Sequence, residues 1–195
     1  MTPIPFTLIG LPIAIFLGFR NNSAYDRFWE GRKLWGELVL RSRNLARQCT
    51  SLIEGERPAL ACNGLDDVRV RMILRTAAFC GALRDLLRVQ PVDPGLARFL
   101  APEEFAAMAK QPNKPDFLMR QMGQDLRQCL KDGRVDPCLA ANIDKTLSAM
   151  TGAAASCERI KNTPIPFSYS VLLHRTAYLY CFLLPFGPVS YTHLR

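Results

Sequence analysis

From Met1 to Phe19 the chain carries no charged side chain, and from Arg20 onward charge returns at almost every turn. An uncharged run of this length set against a basic flank predicts a membrane helix that emerges into cytoplasm. The apolar stretch 3–19, PIPFTLIGLPIAIFLGF, stands at the short limit for spanning a bilayer. Proline and glycine are tolerable there if neighbouring helices cover the freed backbone groups. It is not a signal peptide by pattern, because it lacks a basic start and carries Pro3, Pro5 and Pro12. Leu11, Ile15 and Phe19 recur four residues apart and fall on one helical face. Spacing alone leaves two readings open for them, an ordinary packing stripe or a row facing an aqueous path.

The charge map confines any membrane part to the two ends. All 17 acidic residues lie between Asp26 and Glu158, and of the 25 Lys and Arg only Arg175 and Arg195 lie outside 20–161. Mean hydropathy near zero agrees with a charged middle between apolar ends. The net charge of +8 suggests anionic lipid, nucleic acid or small anions as partners. Nucleic acid is disfavoured: the basic residues are interleaved with acids on amphipathic helices, and no zinc-finger or RNA-motif pattern occurs. The seven cysteines show no C-x-x-C spacing, and neither His174 nor His193 stands near a cysteine cluster. No metal or cofactor is therefore expected, and unbridged thiols in a reducing cytoplasm fit the odd count. No nucleophile–base pair or phosphate-binding loop stands out, so an enzyme is not expected.

No stretch alternates like a strand, so the chain reads as all-α. Residues 20–53 form a long amphipathic helix with Tyr25, Phe28, Trp35, Val39, Ala46, Cys49 and Ile53 as its apolar stripe. Asp66 or Asp67 starts a second helix over 67–89. Its Arg69, Arg71, Arg75, Arg84 and Arg88 are expected on a solvated face, the alternative being an ion vestibule or a lipid-headgroup surface. Prolines break 90–116 into short helices, Pro94 to Leu100 and Pro102 to Lys110. Helical periodicity returns over 115–131 and closes at Asp132-Gly133. Asp136-Pro137 opens a last cytosolic helix that runs to about Lys161.

Thr163-Pro164-Ile165-Pro166-Phe167 then echoes Thr2-Pro3-Ile4-Pro5-Phe6 almost letter for letter. The two prolines force a turned or extended backbone, so Ile165 is expected to protrude from a rigid bend. A second apolar segment, 167–187, is interrupted by His174-Arg175. Those two side chains either turn into a protein interior as a site or snorkel to the membrane face.

The words Ile15-Phe16-Leu17-Gly18-Phe19-Arg20-Asn21-Asn22, Tyr25-Asp26-Arg27-Phe28-Trp29-Glu30 and Arg32-Lys33-Leu34-Trp35-Gly36 closely resemble the bacterial bestrophin homologues. So do Glu158-Arg159-Ile160 followed by Thr163-Pro164-Ile165-Pro166-Phe167, then His174-Arg175-Thr176 and Leu183-Leu184-Pro185-Phe186-Gly187. The resemblance covers about 3–187, strongest at both ends. It implies a homopentameric, all-helical ion channel with one pore on the five-fold axis, conducting chloride or other anions, with some bacterial members favouring monovalent cations. It implies a pore neck at Leu11, Ile15 and Phe19 and a cytosolic aperture at Ile165. The partners it implies are four further copies of the chain, membrane lipid and small inorganic ions. The calcium-binding segment of eukaryotic members has no match here, so no calcium site is expected.

The expected organisation is one channel unit over 1–187, with a membrane and pore helix at 3–19, a cytosolic helical part at 20–162 and a second membrane segment at 167–187. The family's first membrane helix is expected to precede residue 3, and its last to follow residue 187. Residues 188–195 cease to resemble the family and read as a non-native tail. The expected location is a bacterial inner membrane, multi-pass, with the charged middle in the cytoplasm. The rival is a non-conducting, membrane-anchored helical scaffold that binds a partner through its amphipathic helices.

Overall fold

Helix starts are written into the sequence as short polar side chains followed by proline, and the computed structural model shows three of them at work. The Asp67 carboxylate accepts the Arg69 amide at 2.8 Å, the Asn113 side chain accepts the Asp116 amide at 3.1 Å, and the Asp136 carboxylate accepts the Cys138 amide at 2.7 Å. Each satisfies one amide that the first turn leaves without a partner, for a stabilisation of about 1 kcal/mol. The structure describes residues 4–55, 64–164 and 167–186, excepting the side chains of 4–9, 168, 169 and 186.

All regular elements among the described residues are helical. They are α1 (Ile4–Leu52), α2 (Val68–Arg88), a 3-10 helix (Pro94–Phe99), α3 (Pro102–Ala109), α4 (Lys114–Lys131), α5 (Pro137–Asn162) and α6 (Phe167–Leu183), then a 3-10 turn (Leu184–Phe186). Residues 4–52, expected as a membrane helix followed by an amphipathic one, form a single helix of 49 residues with Pro12 inside it. The chain divides into two compact units, residues 32–161 and residues 1–31 with 162–195.

In the 32–161 unit, α2 packs along α4, and α3 and the first 3-10 helix close around them. The core draws Leu45 from α1, Phe79 and Leu83 from α2, Met122 from α4, and Ile143 and Met150 from α5, none more than 1% exposed. Small residues on α5, Ala140, Ala153 and Ala154, are buried as well and let neighbouring helices approach closely. α4 ends where Gly133 takes φ 68°, a left-handed turn that glycine adopts without steric cost. α2 ends on Val89 at φ 55°, an unusual conformation for a β-branched residue. The Gln90 amide there donates to the Asp85 carbonyl at 2.9 Å.

Two expectations are corrected in this unit. The α1 stripe was placed on Tyr25, Phe28, Trp35 and Val39, but these are 60%, 59%, 36% and 51% exposed. The buried row is Leu38, Leu45, Cys49 and Ile53, so only the end of the expected stripe reaches the core. The basic face of α2 is not simply solvated either: Arg69 is 4% and Arg75 6% exposed. Arg75 joins Glu104 of α3 at 2.6 Å and also pairs with Asp125 of α4. Arg71 meets the same Asp125 at 3.0 Å and donates to the Leu65 carbonyl at 2.9 Å. Carboxylates from two other helices face these cations, which is how buried charge is tolerated at all.

Candidate functional site

The 1–31 and 162–195 unit is built from the first half of α1 and from α6. Gly10 of α1 lies against Tyr180 of α6, where an added Cβ would sit 3.8 Å from the ring, an ordinary van der Waals contact. Leu11, Ile15 and Phe19 occupy one face of α1 by their four-residue spacing and are 62%, 47% and 58% exposed. They do not form the core of this unit. Leu17, on another face, is 54% exposed, so α1 offers apolar side chains to its surroundings over much of its circumference. A helix of that kind is covered by lipid or by other helices.

On α6 the His174 Nδ1 lies 2.7 Å from the Ser170 carbonyl oxygen, and its ring centroid is 6.4 Å from that of Tyr178. Both His174 and Arg175 are exposed, so of the two alternatives the buried interior site is not the one this unit builds. Thr176 returns its hydroxyl to the Leu172 carbonyl at 2.7 Å, a common way to satisfy a polar group on an apolar helix. Ile165 lies outside the described residues, as do 187–195, where the tail was expected. Leu11, Ile15 and Phe19 are thus brought together on one helix, while their relation to Ile165 stays an expectation.

Among the described residues no helix is long and apolar enough to cross a membrane. α6 has 17 residues, and charge enters α1 at Arg20. No group of three or more His, Cys, Asp or Glu is placed to hold a metal ion among the described residues.

Electrostatics is concentrated in the 32–161 unit. The hydrogen bond to Asp125 holds the Arg71 guanidinium above its ordinary pKa, against the opposing effect of burial. Burial pushes the Cys49 thiol up to about 12, with the nearby Cys129 adding to it. Cys80 rises for the same main reason, partly offset by its contact with the Ser42 hydroxyl. No disulfide joins the cysteines among the described residues. The Arg71–Arg75–Asp125–Glu104 cluster was not anticipated. The available signal was the four-residue spacing of Arg71 and Arg75, which puts both on one face of α2, but nothing local in sequence pointed to Asp125 or Glu104 as partners.

One long helix, uncharged at its start and charged beyond, leads into a helical bundle, and a second apolar helix follows that bundle. This defines an all-α protein with an apolar part and a charged part. The chain belongs to the bacterial and fungal bestrophin family, whose model matches residues 1–194. It is 43% identical to a voltage-dependent anion channel-forming protein of Mesorhizobium japonicum, over 96% of this chain and 57% of that protein. It is 37% identical to the voltage-dependent anion channel-forming protein YneE of Escherichia coli K12, over 98% of this chain and 60% of that protein. The chain thus spans less than two thirds of the length of these relatives. A crystal structure of a bacterial bestrophin homologue from Klebsiella pneumoniae is similar with a TM-score of 0.88 and 33% identity, covering 99% of this chain and 68% of that one. The relatives named here are channel-forming proteins, not enzymes.

Proposed function

We propose that the chain is the pore-forming part of a membrane channel that passes chloride or other small anions passively, assembled as a homopentamer in a bacterial inner membrane. The observation that carries this reading is the row Leu11, Ile15, Phe19, left uncovered on α1 in a chain whose relatives are named anion channel-forming proteins. Five copies around one axis would turn each of the three residues into an apolar ring. A narrow apolar ring sheds water and closes an ion path without a moving plug. Ile165, on the bend between Pro164 and Pro166, would form a second constriction at the cytosolic exit. The remaining exposed apolar residues of α1 and α6 would meet lipid and neighbouring helices. A helix that lines an aqueous path and is flanked by protein need not be uniformly apolar along its length.

In this arrangement residues 3–19 and 167–187 are membrane segments of one channel unit over 1–187, and 20–162 is its cytosolic part, with 188–195 foreign to it. The basic balance of the chain raises the local concentration of anions at the cytosolic mouth. The full-length protein, purified in detergent and reconstituted in planar bilayers, tests the reading. A particle of five copies with chloride currents supports it. A monomer without current would instead be the membrane-anchored scaffold.

A further inference from the structure

The last residue of the 32–161 unit is Lys161, and its ammonium donates to the Leu86 carbonyl at 2.7 Å, across 75 residues of sequence. Leu86 lies in the last turn of α2, where carbonyls lack helical partners and the helix dipole presents its negative end. The Val89 amide reaches the same carbonyl at 3.2 Å, and Val89 takes its left-handed conformation there. Lys161 thus closes a helix end that the α2 sequence closes only with a valine in a conformation valine resists. The side chain is exposed, so the contact fastens the end of α5 rather than filling the core.

α5 ends one residue later, at Asn162, and Ile165 follows with a proline on each side. Proline fixes its own φ and restricts the residue before it, so orientation at the end of α5 passes into the bend with little slack. We infer that Lys161 is a positioning residue for the cytosolic exit: its bond to the Leu86 carbonyl fixes where the Ile165 bend begins, and so sets how large an ion the exit passes. This rests on the reading of Ile165 as the exit constriction.

The test uses full-length protein in bilayers and measures the permeability of gluconate relative to chloride, at low and at high salt. Lys161→Met is expected to raise that ratio by at least about twofold at both salt concentrations, since it loosens a constriction. Lys161→Arg, which keeps a cationic donor, is expected to stay near the parent value. An effect of Lys161→Met on chloride current at low salt alone, with the ratio unchanged, would overturn the proposal, because it reports only a surface charge. Loss of assembly in Lys161→Met, or an Arg variant that behaves like Met, would overturn it too. Ile165→Ala separates the two ideas. If it raises the ratio and Lys161→Met does not, the positioning role fails alone. If it leaves the ratio unchanged, the exit reading falls, and the proposal with it.

Discussion

Arg75 and Asp125 pair across the seam between α2 and α4, with only 8% and 15% of their side chains exposed. Arg71 shares the same carboxylate, and Glu104 completes the set from α3. One acidic side chain therefore faces two arginines in a place where water does little to screen them. Asp125→Ala strands both and is expected to cost about 3–5 kcal/mol, the range for breaking a buried pair from one side. Asp125→Asn keeps the shape and loses the charge, and should fall between Ala and the parent. Unfolding of the full-length protein by urea in detergent reads both.

The register of α1 makes a second, sharper contrast. Leu38 is 1% exposed and its neighbour Val39 is 51% exposed. Leu38→Ala should cost about 2–5 kcal/mol through lost burial and a residual cavity. Val39→Ala should stay within about 0.5 kcal/mol, as surface changes do. Equal costs at the two positions would contradict the rotation of the helix about its axis. In an assembled channel Val39 also tests a contact between copies, because a covered Val39 would show up as weakened assembly without loss of monomer stability.

That contrast shows where sequence was informative. The helix limits followed from local chemistry: Asp67, Asn113 and Asp136 with their prolines act within three residues of themselves, so spacing alone locates them. The all-α class and the breaks at Gly133 and after Lys161 were legible for the same reason. The face of α1 was not. Its first half carries Trp29, Tyr25 and Phe28 at helical spacing, and large aromatics read as core whether they meet protein, lipid or another copy. The buried arginines of α2 were hidden because their partners lie more than twenty residues away, on α3 and α4. Leu11, Ile15 and Phe19 were found by spacing, but their role came from family wording. An exposed apolar row has no chemical signature of its own.

The thiols should sort by burial. Cys138 is exposed, whereas Cys49 is buried with its pKa pushed up to about 12. At pH 8 the Cys49 thiolate is scarce and unreachable, so a maleimide should label Cys138 within minutes and leave Cys49 unmodified until the protein is unfolded. Mass mapping of labelled peptides checks this. Fast labelling of Cys49 in the folded protein would contradict its place in the core.

Asp93 supplies a pH dependence with a definite sign. The Gly95 amide donates to its carboxylate at 2.8 Å and Arg84 approaches it at 3.0 Å, so its pKa is lowered, first by the Gly95 amide and then by Arg84. A folded pKa below the unfolded one means that the carboxylate stabilises the fold above the ordinary Asp range. That contribution is lost as pH falls through the lowered folded value. The turn at Pro94–Phe99 should therefore loosen on acidification, and Asp93→Asn should remove most of the pH dependence. Hydrogen exchange at the Gly95 amide, corrected for intrinsic rate, measures it. The site is exposed, so the effect should be local.

The central claim is that α1 lines the pore with Leu11, Ile15 and Phe19. Its most direct test is the single-channel conductance of the full-length protein with these three residues replaced together by Ala. Three apolar rings reduced to methyl groups leave a wider and wetter neck. The account predicts conductance at least about threefold above the parent, with the pentamer intact and the open probability raised. Currents of unchanged amplitude in an intact pentamer would contradict it, and would move the constriction away from this face of α1.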